Sequence, residues 1–121
     1  MISFFEFVGN PTRSPGPISL EDFQRLDLRV GIIKEVEPIP GCKKVLKLRV
    51  DIGEKRTILA GLAARYQMDE LKDKQVIVLA NLRPVKFMGV ESQRVILAVE
   101  DEGGVYLLTR DKESKPGSAI R

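Results

Sequence analysis

VLKLRVDI, residues 45–52, decides the fold class. Leu46, Leu48, Val50 and Ile52 fall on one side of an extended chain, and Val45, Lys47, Arg49 and Asp51 on the other. A period of two marks a strand with one face in a core and one in water; a helix would scatter the same apolar residues around its circumference. Upstream, LDLRVGIIKEV (26–36) reads as a less regular strand, and its interior Gly31 points to a bend or bulge of the kind a tightly curved barrel needs. Downstream, RTILAGLA (56–63) is a third strand, and QVIVLANL (75–82), apolar on both faces, is a central fourth. RVILAVE (94–100) is a fifth, and VYLLT (105–109) pairs back after a DEGG turn.

Helical signals are few. ISLEDFQRLD (18–27) opens a short helix, with Ser19 three residues before Asp22 in the manner of a capping box. MDELKDK (68–74) reads as a short helix or turn between strands. Five or six short strands with so little helix predict an all-β domain, a five-stranded Greek-key barrel of the OB type with short helices and a C-terminal extension. Residues 18–121 form that domain. Residues 1–17 stand apart as an N-terminal extension, in which the strand-like FFEFV is followed by NPTRSPGP, with three prolines and a glycine. The aromatics of FFEFV pack either on their own domain or on a neighbouring subunit.

Composition narrows the function. The chain has 121 residues, 43% of them hydrophobic and 31% charged, enough for one domain with a modest core. The net charge of +3 and pI near 9.1 are mildly basic, so nucleic-acid binding would need a local patch. There is no histidine, which removes the commonest general base and metal ligand. Cys42 is the single cysteine, so neither an intrachain disulfide nor a Cys–His nucleophile can form, and a reducing compartment fits. No phosphate-loop, dinucleotide or serine-hydrolase motif is present. Glu100, Asp101 and Glu102 read as a solvated turn, with weak divalent-cation binding as the alternative. We expect no catalytic residues, cofactor or metal. No apolar run approaches the ~20 residues of a membrane span. MISFFEFVGN carries Glu6 and no basic stretch, a poor signal peptide. A cytoplasmic protein without membrane contact is the expectation.

Three basic groups remain: Lys43, Lys44, Lys47 and Arg49; Arg29 and Lys34; Arg83, Lys86 and Arg94. Each alone reads as a solvated face. On an OB barrel they acquire another meaning, because such barrels bind oligonucleotides on the face of strands 2 and 3 and on the loops joining strands 1–2 and 4–5. PIPGCKK (38–44) would be the first loop and RPVKFMGVES (83–92) the second. Lysine and arginine neutralise phosphates and release counterions. Phe87 and Met88 offer apolar contact to a base or sugar, or else belong to a core or interface. Asn81, Ser92 and Gln93 can bond to base edges or a 2′-hydroxyl. With 6% aromatic residues and no tryptophan, a long stacking platform for single strands is not expected.

Four motifs, LEDFQRLDLRVG (20–31), PGCKKVLKLRVDIG (40–53), ILAGLAARYQMDELKDK (58–74) and ANLRPVKFMGVESQ (80–93), carry a family resemblance over roughly residues 18–121. The chain resembles the structure-specific tRNA-binding domain that occurs free-standing and as the C-terminal or beta portion of methionyl-tRNA synthetases. The resemblance implies an OB fold, a homodimer, and binding of the tRNA elbow by shape. The family's motif residues fall on Asn81, Pro84, Lys86, Met88, Gly89, Glu91 and Ser92, with Arg29 in the first strand and Lys44 and Lys47 near the second. The family usually continues Ser-x-Gly-Met, where this chain has Ser92-Gln93-Arg94-Val95, so Arg94 brings a charge where a glycine is usual. Taken together, the basic groups, the polar residues and the resemblance give the expected tRNA-binding set: Arg29, Lys34, Lys44, Lys47, Asn81, Arg83, Lys86, Met88, Ser92, Gln93 and Arg94. The implied partners are tRNA, a second copy of the chain and a methionyl-tRNA synthetase. The alternative is a CsaA-like, export-associated, peptide-binding chaperone, whose relatives look similar at LDLRVG. A pure dimerisation module is a third reading.

Overall fold

The computed structural model describes residues 16–92 and 95–121. FFEFV, Gln93 and Arg94 lie outside them. Strands β1 (Leu28–Ile39), β2 (Cys42–Asp51) and β3 (Lys55–Ala60) form an antiparallel meander, and β4 (Gln75–Leu79) returns beside β1. With β7 (Val95–Ile96) on the far edge of β4, the order is β3-β2-β1-β4-β7. A fourth strand that lies beside the first is the Greek-key signature. The sheet curls until β7 also lies against β3, giving an OB-like barrel. Among the described residues, helices are confined to α1 (Leu20–Gln24), where Ser19 Oγ accepts from Asp22 N at 3.1 Å, and α2 (Met68–Leu71), where Glu70 reaches back to Gln67 N at 2.9 Å.

The core follows the alternation of β2. Leu46, Leu48, Val50 and Ile52 are buried with Ile33, Ile58, Leu62, Leu71, Val76, Val78 and Ile96. Gly31 faces this interior: a Cβ there would sit 2.8 Å from Val50 Cγ1 and 3.0 Å from Ile52 Cγ2. It therefore permits close approach inside the barrel, while the bulge in β1 lies two residues on, between Ile33 and Glu35. Val45 points to the outer face yet is fully buried, because it joins Ile39 and Leu59 in a second small cluster under Phe87 and Val90.

Three expectations are corrected. PIPGCKK is not a loop: β1 runs through Ile39, β2 begins at Cys42, and only Pro40-Gly41 turn between them. The φ of +81° at Gly41, after a proline, fits a tight turn that needs glycine. RPVKFMGVES does connect the fourth and fifth barrel strands, β4 and β7, but it is itself a hairpin, β5 (Val85–Phe87) and β6 (Val90–Ser92), turning on Met88 and Gly89 at φ +51° and +80°. Positive φ at both central residues is the turn whose twist matches a two-residue hairpin. RVILAVE divides at Leu97: β7 stays in the barrel, and β8 (Ala98–Asp101) pairs with β9 (Gly104–Leu107) in a separate ribbon. Asp101 Oδ1 accepts from Gly103 N and Gly104 N at that ribbon's turn, so this acid serves the turn itself.

The C-terminal extension completes the other edge of β1. Val30 N donates to Ser118 O, Gly117 N to Val30 O and Ile120 N to Leu28 O. Further back, the buried side chain of Gln75 donates to Ser114 O at 2.6 Å and accepts from Arg110 Nε.

Candidate nucleic-acid interface

The second cluster shapes the candidate site. Phe87 and Val90 pack on Ile39, Val45 and Leu59, so the β5–β6 hairpin lies over one end of the outer face of β2 and β3. Its tip reaches the β1–β2 turn: Met88 Cε is 3.4 Å from where a Cβ of Gly41 would lie. This brings together the two segments that the sequence pattern assigned to binding. Lys43 and Lys44 follow the turn on β2; Arg83 and Lys86 lie at the base and on the first strand of the hairpin, and all four are exposed. Met88, 53% exposed, is an apolar side chain at the tip. Glu91 is directly opposite Lys86 across the hairpin.

Beyond this rim the outer face continues along β2. Lys47 is half-buried opposite Glu37, and Arg49 is exposed opposite Glu35. Arg49 also donates to Thr57 Oγ1 on β3 at 3.4 Å. Glu35, Glu37, Lys47, Arg49 and Lys55 line a shallow cleft of about 250 Å³. Sequence reasoning named the cations of β2 and missed the acids facing them. Their signal was present in the alternation of Glu35, Val36 and Glu37, but facing strands become neighbours only through register.

The remaining sequence-derived candidates separate from the rim. Arg29 Nε donates to Asp27 Oδ1 at 2.9 Å; that bond and the carboxylate's charge raise the guanidinium pKa further above its ordinary value. Arg29 also bridges to Ala119, beside the C-terminal extension. Lys34 is exposed next to Ile33, whose backbone bonds to Asp73 and Lys74, and so lies at the α2 end of the barrel. Asn81 is a tie: its Oδ1 accepts from Asp27 N at 3.0 Å and its Nδ2 donates to Arg25 O at 2.7 Å. Ser92 is 3% exposed, and its Oγ accepts from Leu59 N at 3.1 Å. Its hydroxyl fastens the hairpin to β3 instead of facing solvent.

Among the described residues, no group of three or more His, Cys, Asp or Glu side chains is arranged to hold a metal ion, and no helix is long and apolar enough to cross a membrane. An OB-like barrel with a basic, partly apolar rim where two turns meet defines a nucleic-acid-binding class of domain. Residues 28–119 match the tRNA binding domain family, and the chain belongs to that family. It is 47% identical over 117 residues to the methionine–tRNA ligase of Archaeoglobus fulgidus, a match that covers 96% of this chain and 18% of the ligase. The chain thus spans less than a fifth of that relative's length. Its fold is similar to the crystal structure of a MetRS related protein from Pyrococcus horikoshii, with a TM-score of 0.81, 38% identity, and coverage of 88% of this chain and 99% of the other. It is equally similar in fold to the CsaA chaperone protein from Picrophilus torridus, at 0.81 and 33% identity over 87% of this chain and 100% of that one.

Proposed function

We propose that this chain is a non-catalytic tRNA-binding module that acts as a homodimer and grips the tRNA elbow by shape, in the service of a methionyl-tRNA synthetase in the cytoplasm. Residues 18–121 form the binding domain, and residues 1–17 are an extension of it. The observation that carries the reading is the meeting of the β5–β6 tip with the β1–β2 turn. That contact sets Met88, at the end of the strand that carries Lys86, beside the turn that leads into Lys43 and Lys44. A small cationic rim with one apolar tip suits a folded backbone whose phosphates converge, and it offers no row of aromatics for an extended strand. The homodimer is supported by a cleft of about 410 Å³ between α1 and the C-terminal extension, lined by Leu20, Phe23, Leu26 and Ile120. Leu20 is 70% exposed and Leu26 is 43% exposed, an apolar surface that a second copy would cover.

The test is titration with folded tRNA, a scrambled single strand of equal length and duplex DNA at two salt concentrations. Tighter binding of folded tRNA at both salts supports the reading. Equal, steeply salt-dependent binding of all three reduces the rim to a non-specific basic surface. The second reading, a CsaA-like peptide-binding chaperone, draws on the same apolar cleft and on the equal fold similarity. Suppression of client aggregation without retention of tRNA would decide for it.

A further inference from the structure

The outer face of β2 and β3 is the surface on which an OB barrel accommodates a single strand. In this chain that face is not uniformly basic. Antiparallel register sets Glu35 opposite Arg49 and Glu37 opposite Lys47, so each cation of mid-β2 has a carboxylate beside it on β1. Directly opposed side chains in such a ladder have Cβ atoms about 4.5–5.5 Å apart, close enough for opposite charges to attract. Neither Lys47 nor Arg49 forms an ion pair within contact distance among the described residues, and Arg49 leans instead on Thr57. The acids therefore act through the local field more than through fixed bonds. Glu35 and Glu37 cancel two of the three positive charges that Lys47, Arg49 and Lys55 bring to the cleft. The rim is different: no carboxylate stands opposite Lys43 or Lys44 in the register of β2 with its neighbours, and Lys86 alone of the rim's strand residues faces one, Glu91. The alternation of Glu35, Val36 and Glu37 gives both acids to the outer face while Val36 packs against the core.

We propose that Glu35 and Glu37 are specificity determinants, a guard row that closes the middle of the outer face to single-stranded RNA and confines phosphate contact to the rim. This rests on the tRNA-binding reading and deepens it. A single strand laid along the face would bring its phosphates onto two carboxylates, whereas a folded RNA that presents a ridge to the rim meets Lys43, Lys44, Arg83 and Lys86 against one carboxylate, Glu91. Discrimination then comes from a repulsive element built against the wrong ligand as well as from attraction to the right one. It also explains how a face with the OB site's shape can serve a reader of folded shape.

The experiment compares the full chain with E35Q/E37Q, which keeps side-chain size and hydrogen-bonding ability. A control, E102Q/E113Q, makes the same change in net charge at exposed residues that do not line the cleft. Binding of a fluorescent single-stranded RNA and of folded tRNA is titrated across salt. For E35Q/E37Q, single-strand affinity rises about tenfold at low salt and its log–log salt slope steepens by about 1.4, the release expected for two further phosphates. Folded-tRNA affinity changes less than threefold, and the control pair leaves single-strand affinity within twofold. Unchanged single-strand binding in E35Q/E37Q, or an equal rise in the control, overturns the proposal. Failure of the unsubstituted chain to prefer folded tRNA would instead refute the tRNA-binding reading, and the gain or absence of single-strand binding in E35Q/E37Q would still decide the role of the two acids.

Discussion

Ser92 Oγ accepts the backbone N–H of Leu59 at 3.1 Å, a bond between the hairpin and β3 that lies almost wholly out of water. It holds the β5–β6 hairpin on the outer face, above the cluster of Ile39, Val45 and Leu59. Ser92→Ala removes that acceptor from a buried donor, and the expected loss is about 1–3 kcal/mol of folding stability. Urea unfolding measures it. A change under about 0.5 kcal/mol would mean that the hairpin is held by its apolar contacts alone.

Gly31 has no room for a side chain. An added Cβ would press on Val50 Cγ1 at 2.8 Å and Ile52 Cγ2 at 3.0 Å, both inside the packed barrel. Gly31→Ala is expected to destabilise the chain by about 1–3 kcal/mol through overpacking. In a double-mutant cycle, Val50→Ala should recover part of that loss, since it removes the nearest clashing atom. Strict additivity of the two substitutions would place the strain elsewhere.

The barrel was legible because its signals are local. Four alternating residues of β2, one capped helix and one two-glycine turn each identify themselves within a few positions. The misread elements depend on partners distant in sequence. Val45 looked solvent-facing until Phe87 and Val90, more than forty residues later, came to cover it. The hairpin 85–92 read only as a loop because methionine seldom occupies a left-handed position, which Met88 does at φ +51°. Asn81 and Ser92 looked like base-reading groups, since an amide or hydroxyl does not reveal from sequence whether its partner is RNA or the chain itself. The neutralising acids at 35 and 37 were equally visible as letters, and only the register of β1 on β2 gives them meaning.

Asn81 uses both ends of its amide to fix the approach to β1, accepting from Asp27 N and donating to Arg25 O. Asn81→Asp keeps the acceptor but loses the donor, and it sets a carboxylate against the Arg25 carbonyl. A loss of about 1 kcal/mol is expected for each of Asn81→Asp and Asn81→Ala. Amide exchange at Asp27 should accelerate in Asn81→Ala and stay slower in Asn81→Asp. If both variants retain full stability and lose tRNA affinity, the amide serves RNA and not the fold.

Met88 joins a conformational strain to an exposed apolar tip. A non-glycine residue held at positive φ costs of order 1 kcal/mol, and asparagine tolerates that region far better. Met88→Asn is therefore expected to raise stability by about 0.5–1 kcal/mol while weakening tRNA binding. A thermal melt and one titration measure the two effects together. Higher stability with unaltered affinity would remove Met88 from the contact surface.

Arg83, just before the hairpin, and Lys86, on its first strand, are both exposed cations, and the proposed function assigns each a phosphate. Their side chains do not contribute to either apolar cluster, so their loss should leave folding intact. Arg83→Ala with Lys86→Ala is expected to reduce folded-tRNA affinity at least tenfold near physiological salt and to flatten the log–log salt slope by about 1.4–1.8. The slope is the sharper readout. A general loss of net charge weakens binding through a diffuse field, whereas removal of two contacts subtracts two counterion-release contributions. The matching substitution at the α2 end, Lys34→Ala with Lys74→Ala, lowers the net charge equally and should leave the slope within about 0.5 of the parent. Equal flattening by both pairs would mean that tRNA feels the whole chain's charge, and the meeting of Met88 with the Gly41 turn would then have no role in recognition.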